Sequence, residues 1–226
     1  MLKYTMNSQN IEPKTIIFDW DGTLVHTLDD WMISILTVLQ HFGITNVSQK
    51  QIIDNIFAHE VGPLNLGIQK QDLAKFWQMS QKEFEANLDK VYFHEGAKEI
   101  LRTLKNAGHQ LALLTRTSKS TLKKAFQVLE FDRNHFEIIV TGNDVTHPKP
   151  HPEGVFTIID YFRSEKMDTF IIGDSSHEIE AGKAAGIQTI NFYPSHNEAF
   201  YDHFDLKVLQ PDFTITKLEE MKNIIF

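Results

Sequence analysis

The sequence contains no cysteine among its 226 residues. Disulfide bonds, thiolate metal ligands and cysteine nucleophiles are therefore excluded. It also lacks any apolar run near the roughly 20 residues that cross a bilayer, and its first residues do not form the continuous apolar stretch of a signal peptide. We therefore expect an intracellular, cytoplasmic protein with no membrane partner.

Positive charge is also scarce: the sequence has 22 Lys and Arg residues but 30 Asp and Glu residues, which gives a formal net charge of −8. Proteins that bind nucleic acid hold its phosphates with clustered basic side chains, and no such cluster occurs here. A nucleic-acid partner is therefore not expected. The length suits one large domain or a domain with an insertion. It leaves monomer and homodimer both open.

The 11 histidines are scattered along the chain. His147 and His151 are four residues apart, but Pro148 and Pro150 lie between them. Proline interrupts helices, so this pair cannot share a helical face. We therefore interpret these histidines as surface or loop residues and not as metal ligands.

The hydrophobic pattern divides the chain into two kinds of segment. Residues 14–19 form an apolar run with no polar face, which is typical of a central parallel strand. Residues 28–90 show helical spacing and no strand signal, apart from a Gly- and Pro-containing loop at 59–67. Beyond residue 95 helices alternate with strands, predicted at 110–115, 137–141, 169–174, 187–192 and 212–214. This alternation predicts an α/β fold whose parallel sheet carries helices on both faces.

Polar residues stand at the ends of these predicted strands. Asp19 and Asp21 follow the first strand, and Thr115 ends the second. Lys149 lies in a loop held by alternating prolines, and Asp174 ends the fourth strand. Because the carboxyl ends of parallel strands meet at one edge of a sheet, we expect these side chains to lie together.

Their chemistry suits phosphoryl transfer. The carboxylates of Asp19 and Asp174 would repel each other unless a cation lay between them, and oxygen ligands favour Mg²⁺. Thr115 and Lys149 would hold the phosphate by a hydrogen bond and a positive charge. Asp19 would attack phosphorus and form an aspartyl-phosphate, while Asp21 would carry the proton. We therefore predict a Mg²⁺-dependent phosphatase acting on a small phosphorylated metabolite.

Four segments resemble the haloacid dehalogenase-like hydrolases, in the subgroup similar to phosphoglycolate phosphatase and β-phosphoglucomutase. They are FDWDGTLVHT (18–27), LLTRTS (113–118), KPHPE (149–153) and IGDSSHEIEAGKAAG (172–186). The resemblance implies a Rossmann-like core formed by residues 1–27 and 92–226, with an inserted α-helical cap at 28–91. It further implies Mg²⁺ held by the Asp19 carboxylate, the Asp21 carbonyl oxygen and Asp174.

Some residues depart from the pattern of this family. Glu178 replaces a second aspartate and could still bind the metal through water. Arg116 replaces an asparagine and would either contact an anionic substrate or point into solvent. In the cap, His59, Glu60 and Asn65 are candidates for substrate contacts.

Three other functions compete with the phosphatase. A phosphosugar mutase would share all four motifs and differ in its cap. A haloacid dehalogenase is disfavoured by Asp21, because a leaving halide needs no proton. A non-catalytic binding module is disfavoured because the candidate site residues occur together.

Overall fold

The computed structural model describes residues 12–57, 62–201 and 207–226. Its strands are β1 (Thr15–Phe18), β2 (Val25–His26), β3 (Tyr92–Phe93), β4 (Gln110–Leu114), β5 (Ile138–Val140), β6 (Thr169–Gly173), β7 (Gln188–Phe192) and β8 (Phe213–Ile215). Its α-helices are α1 (Leu28–His41), α2 (Gln49–Ile52), α3 (Gly62–Asn65), α4 (Leu73–Ala86), α5 (Ala97–Asn106), α6 (Lys119–Val128), α7 (Glu153–Phe162), α8 (Ser176–Ala185) and α9 (Lys222–Ile225).

Six strands form one sheet in the order β5-β4-β1-β6-β7-β8, and every neighbouring pair is parallel. The predicted α/β fold with a parallel sheet is therefore confirmed. All four residues of β1 are buried, as its continuous apolar sequence predicts for a central strand.

Helices cover both faces of this sheet. On one face, Ile16 and Phe18 of β1 pack in a hydrophobic cluster with residues of α5 and α6. On the other face, Ile17 packs with residues of α7 and α8. Successive side chains of a strand point to opposite faces, so the apolar run in β1 supplies both clusters.

The chain leaves this sheet and returns to it through a short antiparallel pair of strands. β2 pairs with β3, with Val25 opposite Phe93 and His26 opposite Tyr92. Sequence periodicity did not predict this pair, because each strand has only two residues. Between them, apolar residues of α1 and α4, such as Leu39 and Phe76, form a third cluster.

The helices of the inserted segment differ from the prediction in detail. α2 begins with a capping box formed by Ser48 and Gln51, and the chain continues at Ile53–Phe57 as a π-helix. Short 3₁₀ turns precede and follow α4. The predicted loop at 59–67 contains the short helix α3, while residues 58–61 lie outside the described part.

Within the described ranges, no helix combines the length and the apolar character that crossing a membrane requires.

Candidate active site

Three buried carboxylates meet at the carboxyl edge of the parallel sheet. Asp19 directly follows β1, Asp174 follows β6, and Glu178 lies in the first turn of α8. One carboxylate oxygen from each lies within 4.8 Å of the others. The expected meeting of Asp19 and Asp174 is therefore observed, and the Asp21 carboxylate is not part of this group.

Lys149 binds two of these carboxylates. Its Nζ lies 2.6 Å from Oδ1 of Asp19 and 2.6 Å from Oε1 of Glu178. It also donates to the carbonyl oxygen of Leu114 over 2.8 Å. Lys149 is only 4% exposed, so the loop places a buried cation at the strand ends.

Burial and mutual repulsion shift the pKa values of the carboxyl groups. Burial raises the pKa of Asp19 to about 7, although the Lys149 charge opposes this shift. Burial, together with the charges of Glu178 and Asp19, raises the pKa of Asp174 well above its usual range. Burial acts in the same direction on Glu178, but the charges of Lys149 and His177 and the hydrogen bonds from Lys149 and Ser175 together lower its pKa.

The single positive charge of Lys149 cannot balance three ionised carboxylates, so their ionised forms would carry excess negative charge. A buried group of oxygen ligands with unbalanced negative charge is a chemically suitable site for a divalent cation. The donor set thus fits the Mg²⁺ that the family resemblance implies.

The main chain at Gly22 packs closely against Asp174. Gly22 has φ of 75°, and a Cβ atom there would lie 2.1 Å from Oδ2 of Asp174. Both the left-handed conformation and the close approach require glycine. The turn after Asp21 therefore places its main chain directly beside a carboxylate of the site.

Two further residues orient Asp174. Thr23 donates from Oγ1 to Oδ1 of Asp174 over 2.9 Å. Asn197 donates from Nδ2 to Oδ2 of Asp174 over 3.1 Å and to the Gly22 carbonyl oxygen over 2.8 Å. Sequence reasoning missed both. Thr23 belongs to the first motif, but no local pattern marks Asn197, which lies in the 3₁₀ turn Ser195–Ala199.

The Asp21 carboxylate accepts hydrogen bonds from one residue that follows β4 and from one residue of the inserted segment. Thr117 donates from Oγ1 to its Oδ2 over 2.5 Å. Trp31, in α1, donates from Nε1 to its Oδ1 over 3.1 Å. Trp31 was not among the predicted site residues, so the sequence did not anticipate this contact.

The loop after β4 contributes Thr115 and Arg116. Thr115 is buried, and its hydroxyl accepts a hydrogen bond of 3.0 Å from the Thr117 main-chain N–H. Arg116 is half-buried, and its Nη1 lies 3.5 Å from Nε2 of His177. Both line the same cavity as Asp19, so Arg116 faces the site and does not point into open solvent.

This cavity has a volume of about 470 Å³ and separates the sheet edge from the inserted helices. The inserted segment contributes mostly apolar and aromatic side chains to it: Leu28, Trp31, Ile35, Ile56, Phe57, Trp77 and the polar Gln81.

Of the three predicted cap contacts, only Asn65 belongs to the part of the chain that the structure describes. His59 and Glu60 lie outside the described residues. Asn65 is exposed and does not line the cavity. Its Nδ2 donates to Oδ1 of Asn55 over 2.9 Å. The structure thus does not place Asn65 beside the carboxylates.

Comparison with known proteins identifies the family. The family model described as haloacid dehalogenase-like hydrolase matches residues 16–192, which include all four motifs. The chain belongs to the haloacid dehalogenase-like hydrolase family. The predicted enzyme class, a hydrolase of this family, is therefore confirmed.

Several relatives of this haloacid dehalogenase-like hydrolase resemble it over nearly their whole length. Pyrophosphatase PpaX of Halalkalibacterium halodurans is 29% identical over 220 residues, covering 95% of this chain and 98% of the relative. A "predicted phosphoglycolate phosphatase" of Haemophilus somnus superposes with a TM-score of 0.81 at 21% identity, covering 95% and 98% of the two chains. CbbY of Rhodobacter sphaeroides, solved in complex with phosphate, gives 0.75 at 17% identity, covering 92% and 96%.

Proposed function

We propose that this protein is a Mg²⁺-dependent phosphatase that hydrolyses a small phosphorylated metabolite through an aspartyl-phosphate at Asp19. The observation that carries the proposal is the group of three buried carboxylates, with ligand atoms within 4.8 Å, that shares Lys149 at the sheet edge. The Asp19 and Asp174 carboxylates and the Asp21 carbonyl oxygen would hold Mg²⁺, and Glu178 would contribute directly or through water. Bound there, Mg²⁺ would offset the charge of the phosphate oxygens and favour the ionised form of Asp19.

The residues of the chain then divide the reaction between them. An Asp19 carboxylate oxygen attacks phosphorus, and the bond from phosphorus to the leaving oxygen breaks. Asp21 donates a proton to that leaving oxygen. In the second step Asp21 removes a proton from water, whose oxygen attacks phosphorus and releases Asp19 and inorganic phosphate. Lys149 and Thr115 bind phosphate oxygens, and Arg116 adds a positive charge to the same wall.

We further propose that residues 28–91 form a cap over a core of residues 1–27 and 92–226. The pairing of β2 with β3 at both boundaries supports this division, and so does the separate hydrophobic cluster of α1 and α4. The cavity between the two parts supports a role for the cap in enclosing the substrate.

The lining of the cavity bears on the choice of substrate. Among the described cap residues that line it, Gln81 alone is polar. Within this described part of the lining, few partners are available for the hydroxyl groups of a sugar bisphosphate, which supports a phosphatase over the alternative phosphosugar mutase. An organic phosphate with an apolar or aromatic part fits this wall best.

Pyrophosphate is a second candidate substrate, favoured by the relatives named pyrophosphatase that match almost the whole chain. Its hydrolysis needs the same carboxylates and lysine but makes no use of the apolar cap wall. The two candidates therefore differ in what the cap contributes.

A phosphate-release assay tests these proposals. Purified protein is incubated with Mg²⁺ and, separately, with pyrophosphate, aryl phosphates and sugar phosphates. We expect Mg²⁺-dependent release that Asp19→Asn reduces by about a thousandfold or more, equivalent to about 4 kcal/mol of barrier. An Asp19→Asn protein that keeps near wild-type turnover would contradict the mechanism. Isomerisation of β-glucose 1-phosphate without phosphate release would favour the mutase.

A further inference from the structure

The loop that carries Lys149 brings together a second group of potential metal ligands. His147, His151 and Glu153 each offer one atom, either a ring nitrogen or a carboxylate oxygen, and these atoms lie within 4.8 Å of one another. The sequence had suggested no metal pair, because prolines prevent a helix between the histidines. The loop instead turns, and the two imidazole ring centres lie 4.8 Å apart.

The group is preorganised by hydrogen bonds. Nδ1 of His147 lies 3.0 Å from Oε2 of Glu153. Nδ1 of His151 accepts a hydrogen bond of 3.2 Å from the Glu153 main-chain N–H, which requires that nitrogen to be unprotonated. Hydrogen bonds, foremost that from the Thr146 main-chain N–H, lower the pKa of Glu153 and keep its carboxylate ionised.

The distances suit a small transition-metal ion. Two ligands at about 2.0–2.1 Å from a tetrahedral zinc ion lie roughly 3.3–3.4 Å apart. The nitrogen–oxygen pair of His147 and Glu153 therefore needs to open by only a few tenths of an ångström. Both histidine side chains are exposed, so the third ligand has room to adjust.

We propose that His147, His151 and Glu153 bind one Zn²⁺ or a similar ion at a site distinct from the carboxylates of the catalytic edge. Two imidazoles and one carboxylate select borderline metals such as Zn²⁺ and Cu²⁺, whereas Mg²⁺ prefers oxygen ligands. Three protein ligands leave a fourth position for water or an external ligand.

The position of this site gives it a structural consequence. His147 and His151 are placed symmetrically two residues before and after Lys149, whose Nζ binds Asp19 and Glu178. A metal ion joining both histidines to the start of α7 would close the loop from its solvent side. Metal binding would thereby restrict the main chain that positions Lys149.

The test uses the full chain without a histidine tag, titrated with Zn²⁺ by calorimetry in excess Mg²⁺. We expect one tight site per chain, weakened about tenfold or more in His147→Ala/His151→Ala. The matched control, His41→Ala/His135→Ala, removes two histidines elsewhere and should bind as the wild type does.

Nitrogen-15 spectra of histidine side chains provide a second measurement that does not depend on variants. Zn²⁺ should shift the ring nitrogens of His147 and His151 while leaving those of His41 and His135 unchanged. Undiminished Zn²⁺ affinity in His147→Ala/His151→Ala, or shifts confined to other histidines, would overturn the proposal.

Discussion

Trp31 donates a hydrogen bond from Nε1 to Oδ1 of Asp21 over 3.1 Å, which joins the first inserted helix to the proposed proton carrier. The Trp31 ring is also stacked on Phe84 of α4, with ring centres 4.1 Å apart and planes 5° apart. The inserted helices thus orient the Asp21 carboxylate in addition to lining the wall of the cavity.

Trp31→Phe should keep the aromatic stack but lose the hydrogen-bond donor. A hydrogen bond to a carboxylate contributes about 1.5–3 kcal/mol, so we expect kcat to fall by about tenfold or more with little change in melting temperature. Phosphate-release kinetics and thermal unfolding measure the two effects. Phe84→Leu, which keeps the indole donor, should lose stability more than activity; the reverse ranking would contradict this role of Trp31.

Gly22→Ala and Gly43→Ala form a matched pair at left-handed positions, with φ of 75° and 77°. Both should lose about 1–2 kcal/mol of unfolding free energy from backbone strain. A Cβ at residue 43 would meet no atom within 4 Å, whereas at residue 22 it would lie 2.1 Å from Oδ2 of Asp174. Only Gly22→Ala should therefore also lose Mg²⁺-dependent turnover. Equal activity in the two variants would show that the close approach to Asp174 does not matter.

Asp174→Asn should have opposite effects on stability with and without Mg²⁺. Burial and like charges raise the pKa of Asp174, so this carboxyl group lowers the stability of the metal-free protein at pH values above its unfolded pKa, and the neutral amide relieves this. The metal-free variant should melt at or above the wild-type temperature. Mg²⁺ at a hundred times its dissociation constant should add about 2.7 kcal/mol to the wild type and almost nothing to the variant. Equal Mg²⁺ stabilisation of both proteins would remove Asp174 from the proposed ligands.

A pair of stacked histidines beside the β2–β3 pair should make stability depend on pH. The rings of His26 and His94 lie 3.5 Å apart, and burial lowers the pKa of His26 to about 4 and that of His94 to about 3. The unfolded chain, with histidine pKa values near 6.5, therefore binds more protons than the folded chain below that pH. The stability that neutral imidazoles provide is complete above about pH 6.5 and falls as the pH decreases towards 4.

Urea unfolding at pH 7 and pH 5 measures this effect. For one imidazole that stays neutral at pH 5, the loss is on the order of 2 kcal/mol. His94→Gln cannot titrate and should lose correspondingly less between the two pH values than the wild type. The exposed His41→Gln serves as control. If His94→Gln and the wild type lose the same free energy, His94 is not the group responsible.

Local sequence determined the elements that form the sheet and the residues that end its strands. The apolar run before Asp19 requires burial on both faces, and this places β1 at the centre of a parallel sheet. Once the sheet is parallel, Asp19 and Asp174 necessarily arrive at the same edge. These inferences depend only on hydrophobic periodicity, which a short stretch of sequence shows, and on the general geometry of parallel strands.

Only the tertiary structure decided which distant groups support that edge. Asn197 reaches the Gly22 carbonyl oxygen from 175 residues away, and Thr117 reaches Asp21 across 96 residues. His147 and His151 meet because a proline-containing loop turns. The sequence argument considered only a shared helical face, which the prolines prevent. Such contacts depend on how separate elements pack and on the path of irregular loops, and no repeating side-chain pattern encodes either.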